Sequence, residues 1–225
     1  MLRICLIALF SCLMNPKPLL IELHFSPCLE YFCMMLRHRV VYLEAHESYL
    51  KGSYRNKCKI VTANGTQTLS IPLEKGKHQQ KNIQQVKIAE PSLWRRQHWR
   101  SLKTAYQSAP YWDDYAPEIE ALLYHPADLL WDYNLNLLKG LIEILQLEVE
   151  LKITSAFVHQ AVECEDLRQQ LLPKNTQWTR PHTHTISYAQ VFEDRQSFVM
   201  NASIFDLLFC KGPEASLILE DMLIN

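Results

Sequence analysis

Glycine is scarce in this 225-residue chain, with 5 residues against 11 proline, which excludes collagen-like repeats and Gly/Ser-rich linker designs. Net charge is nearly absent too. The 23 Lys+Arg almost cancel the 24 Asp+Glu, leaving -1 and a pI of about 6.7. Such a balance argues against bulk nucleic-acid binding and against a polybasic membrane reader. The seven cysteines, at positions 5, 12, 28, 33, 58, 164 and 210, contain no C-x-x-C pair and no Cys/His spacing that closes a tetrahedral zinc site. An odd, scattered set reads as reduced thiols, with Cys28 and Cys33 buried as small hydrophobes. H-E-x-x-H, the P-loop, G-x-S-x-G and G-x-G-x-x-G are all missing. Zincin proteases, Walker-type NTPases, α/β-hydrolases and Rossmann dehydrogenases are disfavoured accordingly, while sites assembled from distant segments stay open.

The longest apolar stretch at the start, Met1 to Met14, is well short of the roughly 20 residues a spanning helix needs. No A-x-A-like cleavage site follows it. Stable membrane insertion is therefore not expected, and the location expected is cytoplasmic. Met14 is the expected start, with residues 1–13 an over-extended or disordered leader; a processed signal or an ordered N-terminal helix are the alternatives.

What is present suffices for a core: 48% hydrophobic and 10% aromatic residues against 21% charged. The length fits one domain over 14–225. Leu19–Leu23 reads as a buried strand, Cys28–Leu36 as a helix and Arg39–Leu43 as a second strand. Lys57–Ala63 and Gln67–Leu73 form two β-type runs around Asn64-Gly65, a hairpin signal. Gln84–Ala89 adds a short strand. After Pro91 the period changes to 3.6, with Ser92 as N-cap and a stop before Pro110. Helices are expected over Glu118–Tyr124 after Pro117 and over Ala127–Gln146, whose stripe is flanked by Asn134, either a satisfied buried group or a ligand contact. From Ile153 the expectation is a short strand, a polar helical stretch Ala161–Leu172 and a break at Pro173-Lys174. A strand Ile186–Phe192 and two helices, Ile204–Phe209 and Glu214–Leu223, complete the chain. The class is α/β or α+β, with strands early, helices in the middle and a mixed tail.

Chemistry concentrates in Glu44, His46, Glu47, Tyr49, Lys51, Tyr54, Arg55, Asn56 and Lys57, just past the second strand. If the chain stays extended, Glu44 and His46 share a face and Glu47 takes the other. A carboxylate beside an imidazole sets its tautomer and raises its basicity, as a general base needs. Lys51 and Arg55, at i and i+4, would present two cations to an anionic group if they lie on a helical turn. A solvated loop with ordinary ion pairs is the bland alternative. His98, among Trp94, Trp99 and Tyr106, is either a core histidine donating to a carbonyl or a component of a pocket wall. Asn201, Ser203 and Asp206 resemble a capping box at the penultimate helix, with ligand contact as the alternative. His182 and His184 could bind metal only with a third ligand, and none is evident; a strand edge is favoured and no metal site is expected.

Several strings together resemble the WbqC-like protein family in its Bacteroidetes-type form, from about Leu20 to Leu219. They are VVYLEAHESYLKGSYRNKCKI (Val40–Ile60), NGTQTLSIPLEK (Asn64–Lys75), WRRQHWRSLKTAYQSAPYWDDY (Trp94–Tyr115), and YAQVF (Tyr188–Phe192) followed by NASIFDLLFCKGPE (Asn201–Glu214). The usual N-L-S-I of the family is N-A-S-I here. The resemblance implies a transferase acting on a sugar or amino-acyl intermediate of surface-polysaccharide (O-antigen type) biosynthesis. Matching positions are Glu44, His46, Glu47, Lys51, Tyr54, Arg55, Asn56, His98, Asn201, Ser203 and Asp206.

On that reading His46 is the general base, Glu44 orients it, and Lys51 and Arg55 hold a small anionic donor such as a nucleotide or an activated acyl or sugar group. Nucleic acid is not an expected partner, and no cofactor is specified. A non-catalytic sugar- or nucleotide-binding accessory protein is the alternative. A third reading is structural, with Arg55 and Glu47 holding the hairpin to the helices.

Overall fold

The apolar triplet Leu19–Ile21 forms strand β1, with all three side chains buried, as a central parallel strand covered on both faces requires. The computed structural model describes residues 16–74, 81–89, 91–173 and 183–223. Met14, residues 1–13, Lys174 and His182 lie outside them, as do Cys5 and Cys12. After β1 comes helix α1 (Leu29–His38), apolar nearly all round and buried accordingly. It leads into β2 (Val40–Leu43), which pairs with β1 in parallel. This βαβ unit packs further against the C-terminal helix α6 (Ala215–Asp221).

A hairpin follows, β3 (Lys57–Thr62) against β4 (Gly65–Ser70). It closes one residue earlier than the Asn64-Gly65 signal suggests. Thr62 pairs with Gly65, so Ala63 and Asn64 form the turn, and the Thr62 hydroxyl donates to the Gly65 carbonyl at 2.9 Å. Gly65 takes the positive φ, +99°.

Three helices fill the middle: α2 (Pro91–Tyr106), α3 (Trp112–Tyr124) and α4 (Leu130–Ile144). Because α2 begins at Pro91, Ser92 belongs to its first turn and not to the cap position. Pro117 lies inside α3 and does not open it. Burial of Trp112, Ala116 and Ile119 on one face carries the helix across a proline that removes one N–H from its hydrogen-bond ladder. Expected as a strand, Gln84–Ala89 is instead a 3-10 turn (Ile83–Gln85) plus single bridges. The Asn82 side chain accepts the Gln84 N–H at 2.8 Å and starts that turn.

The stretch Ala161–Leu172 is not helical: it contains strand β6 (Glu165–Asp166). Its predecessor β5 (Glu150–Ile153) pairs with β2, and β6 pairs with β1, both in parallel. The four-stranded sheet therefore runs β5-β2-β1-β6, confirming an α/β class. Residues 186–192 form no strand. Side chains hold them instead, with Gln190 clamping both main-chain polar groups of Val199 (2.8 and 3.0 Å). Helix α5 (Ile204–Lys211) and a 3-10 turn (Gly212–Glu214) lead into α6. Among the described residues no helix is long and apolar enough to cross a membrane.

Two glycines give a paired stability prediction. Gly212 sits at φ +51°, and a Cβ there would stand 2.5 Å from the rigid Tyr111 ring, whereas a Cβ at Gly52 (φ +80°) meets nothing within 4 Å. Gly52→Ala should cost about 1 kcal/mol of backbone strain. Gly212→Ala, which adds a clash to that strain, should cost about 2–4 kcal/mol, as urea unfolding would show by ordering the two midpoints.

Candidate functional site

Strands β1 and β2 end in the same way. Each is followed at once by Glu-x-His, Glu22-Leu23-His24 after β1 and Glu44-Ala45-His46 after β2. The register keeps the two aligned, because Ile21 pairs with Leu43 and the Glu44 N–H donates to the Ile21 carbonyl at 2.9 Å. From β1 the chain proceeds outward to β2 and β5, then returns to the opposite side of β1 as β6. That reversal makes the carboxyl ends of β1 and β6 a topological switch point, where open parallel sheets place their ligand crevices. Sequence reading found the second Glu-x-His and missed the first. Their repetition after two apolar triplets was the available signal. Arg168 and Asp166, which complete the site from β6, fall in a stretch whose polar pattern suggested a helix.

Each glutamate is met by an arginine that also binds a second carboxylate. After β1, Arg55 grips Glu47 through Nε–Oε1 (2.6 Å) and Nη2–Oε2 (2.5 Å), and its Nη1 lies 3.6 Å from Glu22 Oε1. After β2, Arg168 grips Asp166 through Nε–Oδ1 (2.9 Å) and Nη2–Oδ2 (2.6 Å), and its Nη1 donates to Glu44 Oε2 at 2.9 Å. Four carboxylates thus share two guanidiniums, leaving the cluster acidic.

Arg55 is completely buried. Burial disfavours its charge, but Glu47 and Glu22 outweigh that and push its pKa up. Burial likewise opposes ionisation of Glu22, yet the His24 hydrogen bond (3.2 Å) and the charge of Arg55 hold its carboxyl down at about 2. Gln169 N–H adds a bond to Glu22 Oε2 at 3.0 Å. Burial pushes His24 below the ordinary imidazole range. Its ring is neutral at pH 7, and Nε2 carries the proton facing the carboxylate.

Glu44 does not touch the imidazole of His46. Its Oε1 accepts the His46 main-chain N–H (2.9 Å) and the Thr154 hydroxyl (2.9 Å), and its Oε2 accepts Val158 N–H (3.1 Å) and Arg168. With every lone-pair direction engaged, Glu44 orders the chain around the ring. The ring itself is set by the Thr154 carbonyl, 3.1 Å from Nε2. A carbonyl only accepts, so in the neutral ring it selects the tautomer with the proton on Nε2 and the lone pair on Nδ1. His46 is half-buried.

Lys51 and Arg55 do not share a helical turn. Residues 51–56 are turns and bends, Lys51 is exposed and Arg55 is buried. Paired cations for an anionic donor are therefore not formed, because Arg55 is occupied by internal carboxylates. Asn56 is a cross-link: it accepts from Tyr49 Oη (3.0 Å) and donates to the Ile71 carbonyl (2.9 Å). Asn134 donates to the Arg55 carbonyl at 2.7 Å, while its Oδ1 is buried without a hydrogen-bond partner. Tyr54 packs its ring 5.5 Å from that of His24.

His98 stacks on Phe25 at 5.7 Å and meets Trp94 edge-on at 5.0 Å. Those contacts, with a main-chain hydrogen bond at Ser70, share no partner with His46. Asn201 caps α1 from afar, accepting the Glu30 N–H at 3.0 Å and donating to Glu30 Oε2 at 3.1 Å. Ser203 occupies the N-cap position of α5, but its hydroxyl caps nothing and bonds Ser26 Oγ at 2.6 Å. Asp206 accordingly is not half of a capping box. It points inward, accepts from Tyr188 Oη and Gln190 Nε2 (both 2.7 Å), and burial pushes its carboxyl up. Asn201 holds the first turn of α1, Ser203 the loop before it and Asp206 the 188–190 segment, and none of the three shares a partner with His46. Among the described residues no group of three or more His, Cys, Asp or Glu could hold a metal ion.

Two measurements test this electrostatic account. Glu47→Ala strands a buried guanidinium and should cost about 3–5 kcal/mol in denaturant unfolding. The second concerns pH. Burial lowers His98 from 6.5 to about 4, so the unfolded chain takes up a proton that the folded protein refuses. The corresponding stability is whole above pH 6.5 and is lost as pH falls towards 4. His24 acts in the same sense, and Glu22 extends the loss from 4.5 towards about 2. Across pH 6.5 to 4, His98→Gln should flatten the slope of unfolding free energy by up to about 1.4 kcal/mol per pH unit.

No curated protein and no solved structure matches the chain. The sequence pattern of the WbqC-like protein family matches residues 24–174, which takes in β2 with Glu44 and His46, the Arg55–Glu47 pair, all three central helices and the Arg168 segment. The chain belongs to the WbqC-like protein family.

Proposed function

We propose that this protein is a cytoplasmic transferase of surface-polysaccharide biosynthesis, of the O-antigen type, acting on a sugar or amino-acyl intermediate. The observation that carries the proposal is the state of His46: half-buried, with Nε2 pinned on the Thr154 carbonyl at 3.1 Å. Fixing the proton on Nε2 directs the Nδ1 lone pair outward from the anchor, which is the arrangement a base needs before substrate arrives. Nδ1 takes the proton of an acceptor hydroxyl or amine as that group attacks an activated donor, and the donor's leaving group departs with the electron pair of the broken bond.

Glu44 is a positioning residue in this scheme and acts through the main chain of residues 46 and 158. Arg55 is reassigned from donor contact to support, since its charge is already spent within the fold on Glu47 and Glu22. The donor's anionic moiety is then met by exposed groups, Lys51 among them.

The test is a thermal-shift screen of the purified chain against nucleotide sugars, nucleotides and acyl adenylates, followed by turnover assays with whichever class stabilises it. His46→Ala should keep the melting temperature and the ligand shift while losing about 100-fold or more in turnover. Unchanged turnover would remove His46 from the chemistry. Ligand shifts without product from any donor would mark a non-catalytic accessory protein of the same pathway.

A further inference from the structure

Beside His46 the loop after β5 exposes an aromatic ring that no step of the proposed reaction yet uses. Phe157 is 42% exposed; a single exposed ring is ordinary on a protein surface, and what sets this one apart is the rigid hold on the loop that carries it. The loop is held on both sides of it. Thr154 Oγ1 donates to Glu44 Oε1 (2.9 Å), and Val158 N–H donates to Glu44 Oε2 (3.1 Å). The Arg168 guanidinium sits 5.0 Å from the ring centroid, within cation–π range, and is itself immobilised by Asp166 and Glu44. His159 stands edge-on, 5.0 Å away at 75°. One carboxylate therefore fixes the His46 main chain, the residue whose carbonyl sets the His46 ring, and the loop that carries Phe157.

We propose that Phe157 is the stacking platform for the sugar ring of the substrate, placed beside His46 by their common anchor on Glu44. This rests on the reading of His46 as the base. At the ring itself the surroundings favour a neutral sugar, with the anionic moiety of the donor held away from it. Arg55 and Arg168 both face carboxylates of the fold, and the excess acid repels a diphosphate at this point. A pyranose instead offers a C–H face to the phenyl ring and hydroxyl donors to carboxylate and imidazole acceptors.

Saturation-transfer NMR on the full chain tests this, with methyl glycosides of glucose, galactose and N-acetylglucosamine and with uridine diphosphate as probes. Ring protons of at least one glycoside should receive saturation, and uridine diphosphate should not displace it. Phe157→Ala should weaken glycoside binding by about tenfold or more with an unchanged melting temperature, and Phe157→Trp should restore it. Binding equal in Phe157→Ala, displacement by uridine diphosphate, or no transfer to any glycoside would overturn the platform. His46→Ala separates the two proposals. Glycoside binding lost in Phe157→Ala but retained in His46→Ala, with turnover also retained there, would sink the base and keep the platform. Turnover lost in His46→Ala, with binding indifferent to Phe157, would do the reverse.

Discussion

The completely buried guanidinium of Arg55 is the constraint on which the rest of the structure depends. Its Nε and Nη2 are taken by Glu47 from the segment after β2, Nη1 faces Glu22 at the end of β1, and its own carbonyl accepts from Asn134 on α4. A charge in that position has no access to water, so the three segments must converge on it or the fold carries an uncompensated ion. Such a network contributes little net stability compared with a well-packed apolar core. What it supplies here is definition: the loops past β1 and β2, the hairpin and α4 can meet in one arrangement only.

Glu44 has the corresponding role at the neighbouring strand, with a difference in exposure that matters for chemistry. Arg55 and its partners are sealed, whereas Arg168 keeps an 11% exposed side chain beside the exposed Phe157. The inner triad is the foundation and the outer one stands nearer to solvent. His24 and His46 divide in the same way: one is neutral and sealed against Glu22, the other half-buried against the Thr154 carbonyl.

Much of the fold can be read from local pattern. β1, α1, β2, the hairpin and the long helices all announce themselves through apolar periodicity, because each buries a face that its own sequence defines. β6 does not. Its two residues, Glu165 and Asp166, are acidic, and they form a strand only because β1 offers an unpaired edge. The same physics limits the reading of the site. Glu44, His46 and Glu47 are marked by their place after a strand, but whether Arg55 faces solvent or core depends on Glu22 and Asn134, which lie far away in sequence. The capping-box pattern at Ser203 and Asp206 misleads for a related reason, since Ser26 and the Tyr188–Gln190 pair offer those side chains better partners than the helix end does.

The brevity of β6 bears on the order in which the molecule is built. β1 and β2 are joined through a single helix and can pair early, while β6 must return across most of the chain to reach the β1 edge. Contacts of such separation form late, once the intervening loop is closed by the helices and the hairpin. Until then Glu44 lacks Arg168, and the Phe157 ring lacks the guanidinium packed against it. The Arg168 cluster is therefore expected among the last regions to take shape, after the core around β1, α1 and β2 is already in place.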